Sequence, residues 1–258
     1  HISGKQPDLS YISQAVERIS PYVKPGNLII LESTSPVGTT EEVVAKILKD
    51  KGHNTGDDIY IAHCPERVLP GRILIELVEN DRVVGGVNEA STQKAIEFYQ
   101  EFVRGDVLGT TAKTAEMIKL TENSSRDVQI AFANELSMIC EAEKINTWEV
   151  IEIANRHPRV NILQPGPGVG GHCIAVDPWF IVDRAPGISN LIRTAREVND
   201  SKPNWVVEKV KSYAEKFKNP KIACLGLAFK ADVDDLRESP AVQIVNQLLS
   251  EKVGELLI

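Results

Sequence analysis

Residues 111–143 contain no glycine and no proline, and their apolar side chains recur at helical spacing. Such a run predicts one helix longer than the globular average. It constrains the fold because the sequence before it obeys a different rule. The first hundred residues alternate helix and strand. An amphipathic stretch over 9–23 leads through Lys24, Pro25, Gly26 and Asn27 into the apolar run Leu28, Ile29, Ile30, Leu31, which reads as a buried strand. Further strands are expected at 59–62 and 82–84, with a helix over 90–103. Thr39 and Glu42 have the spacing of a capping box, opening a helix that ends near Gly52. This alternation predicts a parallel sheet with ligands at the C-terminal ends of its strands.

Beyond the long run, Asn146 and Glu149 form a second capping box for a helix that stops before His157 and Pro158. Residues 189–217 are again helical, interrupted or kinked at Pro203. Residues 221–230 read as a strand entering a small-residue turn, and Ser239 with Pro240 opens another helix. The expected fold is therefore α/β: two doubly wound (Rossmann-like) domains, both partial, joined by a helical middle domain. The boundaries fall at 1–110, 111–218 and 219–258. No strand is expected in the first six residues, a helical pattern runs to Ile258, and both ends read as cut.

The 258 residues are 42% hydrophobic and 25% charged, an ordinary soluble composition. A net charge of -7 argues against nonspecific binding to nucleic acid or anionic membrane. The four scattered cysteines fit reduced cytosolic thiols better than a disulfide framework. The adjacent pairs His63-Cys64 and His172-Cys173 do not complete a tetrahedral metal site.

Gly166, Gly168, Gly170 and Gly171 precede His172 and Cys173, with Asp177 and Pro178 behind them. The spacing mimics a dinucleotide fingerprint, but that motif needs a strand before it and a helix after it. Pro165 precedes the loop, and Pro178 is expected to block a helix behind the loop. The loop instead reads as built around Cys173, either an exposed nucleophile or a buried structural thiol. Asp177 would orient a water or the thiol, or cap a turn. On the long helix Lys119, Asn123 and Arg126 share one face, with Ile130 continuing the stripe. Together they form a solvated surface or a donor pair for a developing oxyanion. Thr34 stands where a strand meets a helix, suited to a nucleotide contact or to plain loop bonding. Arg67, in the turn-rich stretch 65–71, is an anion or sugar contact or part of a surface turn. His157 and Arg159 end a helix, where cations favour the dipole. Lys230 and Arg237 flank Asp232, Asp234 and Asp235, as a phosphate site or a solvated cluster.

These blocks occur together in the UDP-glucose/GDP-mannose dehydrogenase family, which the chain resembles from about Asp8 to Leu249. The match rests on the segment Ser33 to Thr39, on Pro65-Glu66-Arg67-Val68, on Lys119 with Asn123, on the cysteine loop, and on residues 226–230 and 237–240. With residues 155–161, the loop is most similar to the branch acting on UDP-N-acetyl-D-mannosamine. The resemblance implies NAD-dependent, four-electron oxidation of the sugar C6 alcohol. Lys119 would assist proton transfer, and Cys173 would trap the aldehyde as a thiohemiacetal and then a thioester. Thr34 and Arg237 would contact NAD. Arg67, Val68, Asn123, Arg126, Gly170 and Lys230 would contact the sugar nucleotide. His157 and Arg159 would reach the substrate of the other subunit of a homodimer. Three departures stand out: the glycine fingerprint with its ribose-binding acid is not in this sequence, Pro70 replaces a second glutamate, and the C-terminal domain is incomplete. Rival readings are a UDP-N-acetylglucosamine dehydrogenase of the same family, a silent dimerisation and nucleotide-binding module, and a two-electron β-hydroxyacid type of dehydrogenase.

Overall fold

The computed structural model describes residues 2–3, 6–56, 58–68, 72–230 and 233–257. Asp232 and positions 69–71, including Pro70, lie outside the described residues. The chain divides into two compact units, residues 1–122 with 179–186, and residues 123–178 with 187–258.

The first unit opens with two short strands, β1 (Ile2–Ser3) and β2 (Gln6–Pro7), paired antiparallel. The sequence predicts no strand here, because two-residue segments are too short to show an alternation. Helix α1 (Ser10–Ile19) comes next, then a 3-10 turn at Ser20–Tyr22 and strand β3 (Leu28–Leu31). A π-helical segment at Thr40–Ala45 continues into α2 (Lys46–Asp50). After it come β4 (Tyr60–His63), α3 (Ile73–Glu79), β5 (Arg82–Gly86), α4 (Glu89–Gln100) and β6 (Val107–Thr111).

The sheet runs in the order β3-β4-β5-β6, but it is mixed, not parallel. β3 pairs parallel with β4 and β5 with β6, whereas β4 and β5 are antiparallel. The seven-residue α3 lies in a connection that returns at the same end of the sheet, and an antiparallel neighbour needs no crossover. The twelve-residue α4 does carry the chain back across, giving a parallel pair. Strand β4 with its flanking residues Ile59 and Cys64 shows why the sheet must be covered on both faces. Ile59 and Ile61 pack with Val16, Val44 and Leu48 from the α1 and α2 side. Ala62 and Cys64 pack with Ala95, Tyr99 and Val103 around α4. Each fully buried aliphatic side chain contributes roughly 1.5–3 kcal/mol by leaving water.

Helix α5 (Ala112–Ala142) has 31 residues, about 46 Å at 1.5 Å per residue, and passes from the first unit into the second. In the second unit α6 (Thr147–Ala154) takes the Asn146 half of the expected capping box, with no return bond from the Glu149 side chain among the described residues. The Asn146 side chain accepts from the amide of Trp148 at 3.1 Å. Helix α7 (Asp177–Arg184) corrects the expectation at Pro178, which sits in the first turn, where a missing N–H costs nothing. Helix α8 (Asn190–Ala214) runs through Pro203. Strand β7 (Lys221–Ala223), α9 (Pro240–Ser250) and β8 (Glu255–Leu257) complete the order, with β7 and β8 parallel. The expected helical ending is thus a strand, and the unit opened by β7 holds a second one. Val207 of α8 packs against Ile244 and Leu248 of α9.

Candidate active site

In the first unit the turn after β3 carries Thr34, which is half-buried. The expected capping box does not form. Thr39 donates its hydroxyl back to the Pro36 carbonyl (2.7 Å), and Glu42 pairs with Arg184 (2.6 Å). The helix-start donors are met from α5 instead. Glu116 accepts from the Gly38 amide at 2.5 Å, the Thr40 amide at 2.8 Å and the Thr40 hydroxyl at 2.6 Å. This carboxylate is 1% exposed, and its burial raises the pKa above the usual carboxylate range despite those bonds. Lys119, half-buried, lies one helical turn further along α5. One turn beyond it, Glu122 holds the Arg67 guanidinium at 2.7 Å. Glu66 braces the same loop by accepting from the amides of Arg67 (2.7 Å) and Val68 (2.9 Å).

In the second unit the cysteine loop is fastened at several points. The Gly166 amide donates to Asn134 Oδ1 (2.8 Å), and Asn134 Nδ2 donates to Asn199 Oδ1 (2.8 Å). Asn199 in turn donates to Asp127 (2.8 Å), which also accepts from Arg196 at 2.6 Å. Asn134, Asn199, Asp127 and Arg196 are all buried. Further along, a Cβ on Gly170 would come within 2.6 Å of the Glu238 carbonyl and of Phe229, so only glycine fits. Gly171 has φ of 81°, and its amide donates to the Arg237 carbonyl at 3.1 Å. Cys173 is half-buried, and its carbonyl accepts from the Asp177 amide at 2.8 Å. Asp177 begins α7, where an acid suits the helix dipole, and accepts from Asn123 Nδ2 at 2.5 Å. Arg237 makes a paired contact with Asp235 (2.7 and 3.0 Å) that holds the Asp235 carboxyl down at about 2. Asp235 is the main influence raising the Arg237 pKa, and the neighbouring Cys173 adds to it.

Asn123, Gly170, Cys173, Asp177 and Arg237 thus share the second unit's loop region, while Thr34, Arg67, Val68 and Lys119 belong to the first unit. Arg126, His157, Arg159 and Lys230 are exposed. The sequence reading missed Glu116, Glu122, Asp127 and Asn134. A signal was available for three of these. Glu116, Asp127 and Asn134 occupy buried positions of α5 alongside Ala112, Leu120 and Ala131, so they are polar residues inside the apolar stripe.

Residues 2–103 match the NAD binding domain of the UDP-glucose/GDP-mannose dehydrogenase family, residues 113–201 its central domain, and residues 223–255 its UDP binding domain. The chain belongs to this family. Over its whole length it is 59% identical to an NDP-N-acetyl-D-galactosaminuronic acid dehydrogenase of Ralstonia solanacearum, covering 62% of that protein. Over 98% of its length it is 58% identical to the UDP-N-acetyl-D-mannosamine dehydrogenase of Campylobacter jejuni, covering 64% of it. Among solved structures, the UDP-D-ManNAc dehydrogenase of Pyrococcus horikoshii superposes with a TM-score of 0.91 at 43% identity, over 99% of this chain and 62% of that one. The chain therefore spans less than two thirds of the length of these relatives.

Proposed function

We propose that the protein oxidises the C6 alcohol of a UDP-N-acetylhexosamine, UDP-N-acetyl-D-mannosamine first among them, to the uronate with NAD. The carrying observation is the cysteine loop, in which the Cys173 carbonyl accepts from the Asp177 amide and the Asp177 carboxylate accepts from the Asn123 carboxamide. The turn after β3 suits the cofactor. Besides Thr34 it presents Ser35, whose hydroxyl is buried and has no hydrogen-bond partner among the described residues. When bound, NAD accepts a hydride from C6 at each of two oxidations.

In this reading Lys119 takes up the alcohol proton and stabilises the resulting oxyanion. The Cys173 sulfur adds to the aldehyde carbon, giving a thiohemiacetal that cannot diffuse away. Its oxidation leaves a thioester, and attack by water releases the carboxylate and returns the thiol. Asp177 orients that water, and Asn123 fixes Asp177. Arg67, Val68, Arg126, Gly170 and Lys230 hold the sugar nucleotide, and Arg237 reaches NAD. A homodimer fits the exposed apolar side chains of α5 and α6, Phe132, Ile139, Trp148 and Ile153. His157 and Arg159 would then serve the neighbouring subunit's site. The attacking thiol calls for a reducing, cytosolic setting.

The NDP-N-acetyl-D-galactosaminuronic acid dehydrogenase relative keeps a second sugar configuration in view, so the galacto-configured UDP-N-acetylhexosamine belongs in the test beside the manno one. Reduced cofactor, measured by its near-ultraviolet absorbance, should reach about two equivalents per sugar, one for each hydride transfer. Cys173→Ser should abolish acid formation. A single equivalent per sugar, or an unaffected Cys173→Ser protein, would rule out the thioester route.

A further inference from the structure

We infer that Glu116 is a positioning residue for the cofactor-side turn: its buried carboxylate clamps Gly38 and Thr40 and thereby fixes Thr34 and Ser35. The role rests on the proposed oxidation but is carried by separate geometry. One carboxylate oxygen faces the Gly38 amide at 2.5 Å, and the other faces the Thr40 amide at 2.8 Å. Both atoms must therefore accept. An amide nitrogen in place of either oxygen would set N–H against N–H. The local sequence does not supply this cap, because the Thr39 hydroxyl turns back to Pro36. Gly38 presents its amide from a left-handed conformation, φ 96°, which leaves the position little freedom to substitute. The next helix starts with a π-helical stretch, a feature frequent at functional sites. Glu116 also precedes Lys119 by one turn of α5, so a single helix carries both the clamp and the proposed acid–base group.

A cap that merely supported the fold would lower stability and weaken all ligands alike. A positioning role predicts a split between the two substrates. In Glu116→Gln the Michaelis constant for NAD should rise about tenfold or more, as loss of hydrogen bonds to a charged group predicts, while that for the UDP-sugar stays within about threefold. Backbone hydrogen exchange across 33–45, measured by mass spectrometry, should quicken in the same protein. Thr40→Val removes one of the three donors with little change of shape and should move both readouts in the same direction by less. Thr40→Ser keeps the donor and should restore them.

If Glu116→Gln does not fold, the Thr40 pair decides. If the wild-type protein reduces no cofactor with any UDP-sugar, the proposed function falls and exchange across 33–45 alone decides the role of Glu116. Unchanged exchange in both Glu116→Gln and Thr40→Val, or equal weakening of NAD and sugar, overturns the inference.

Discussion

Helix α5 secures a turn in each unit, and it does so by two different devices. In the first unit one buried carboxylate, Glu116, takes three donors from two residues. In the second unit the anchoring is spread over Asn123, which holds Asp177, and over the linked set Asn134, Asn199, Asp127 and Arg196, each bonded to the next. The contrast arises from the kind of segment being held. A helix start exposes clustered N–H donors, which one acceptor group can satisfy. A long glycine-rich loop has donors scattered along it and needs several anchors. Concentrated and distributed anchoring should also fail differently.

The sharpest test of the distributed device is Asp127→Ala. It strips Arg196, 1% exposed, of its buried partner and leaves Asp200, itself partly exposed, as the one carboxylate paired with it among the described residues. Breaking a buried pair from one side typically costs about 3–5 kcal/mol. Chemical denaturation should show a loss of that size, and Asn199→Ala on the Asp127→Ala background should add less than it does alone. Strict additivity of the two would mean that the chain of bonds is not acting as one network.

A subtler effect concerns Lys202, which donates to the Asn134 carbonyl (3.2 Å) and Ser137 (2.5 Å) and lies 4.2 Å from the Trp205 ring centroid. Burial pushes its ammonium down from 10.5 to about 8. Between those values the unfolded chain holds the extra proton, so stability should rise as pH climbs from about 8 to 10.5 and should gain nothing from Lys202 below 8. Lys202→Met should flatten that rise relative to wild type by ~3 kcal/mol across the window. Parallel stability–pH curves for the two proteins would show that the lysine is not desolvated.

Much of this architecture is legible where local chemistry decides. The glycine-free run forms α5, the Asn146 cap is made, and Ser239 caps α9. Lys119 and Asn123 lie one turn apart on α5, as their spacing requires. Most of the failures have one of two causes: the deciding group is distant in sequence or the element is very short. Thr39 and Glu42 have the right spacing, yet Glu116, 76 positions away from Thr40, wins the helix start. Strand direction leaves no mark on spacing, so the antiparallel pairing of β4 with β5 is invisible in the sequence. Strands β1, β2 and β8 have two or three residues and depend on partners rather than periodicity. Pro178 has the look of a helix breaker, although proline is favoured in a first turn and sits in one here.

The smallest expected effect marks the boundary of the comparison. Glu122 also ties α5 to a loop, through Arg67, but the two side chains are 37% and 32% exposed. Water and salt therefore screen the pair, and its coupling should be about 0.2–1 kcal/mol. A double-mutant cycle of Arg67→Gln and Glu122→Gln should return that value at low salt and nearly nothing at high salt. The catalytic readout should not obey the same rule. If Arg67 binds the sugar nucleotide, Arg67→Gln raises the sugar Michaelis constant far more than Glu122→Gln does, because only the first removes the binding cation. Equal effects on the sugar would instead make the loop's placement, and not the guanidinium, the thing that α5 provides.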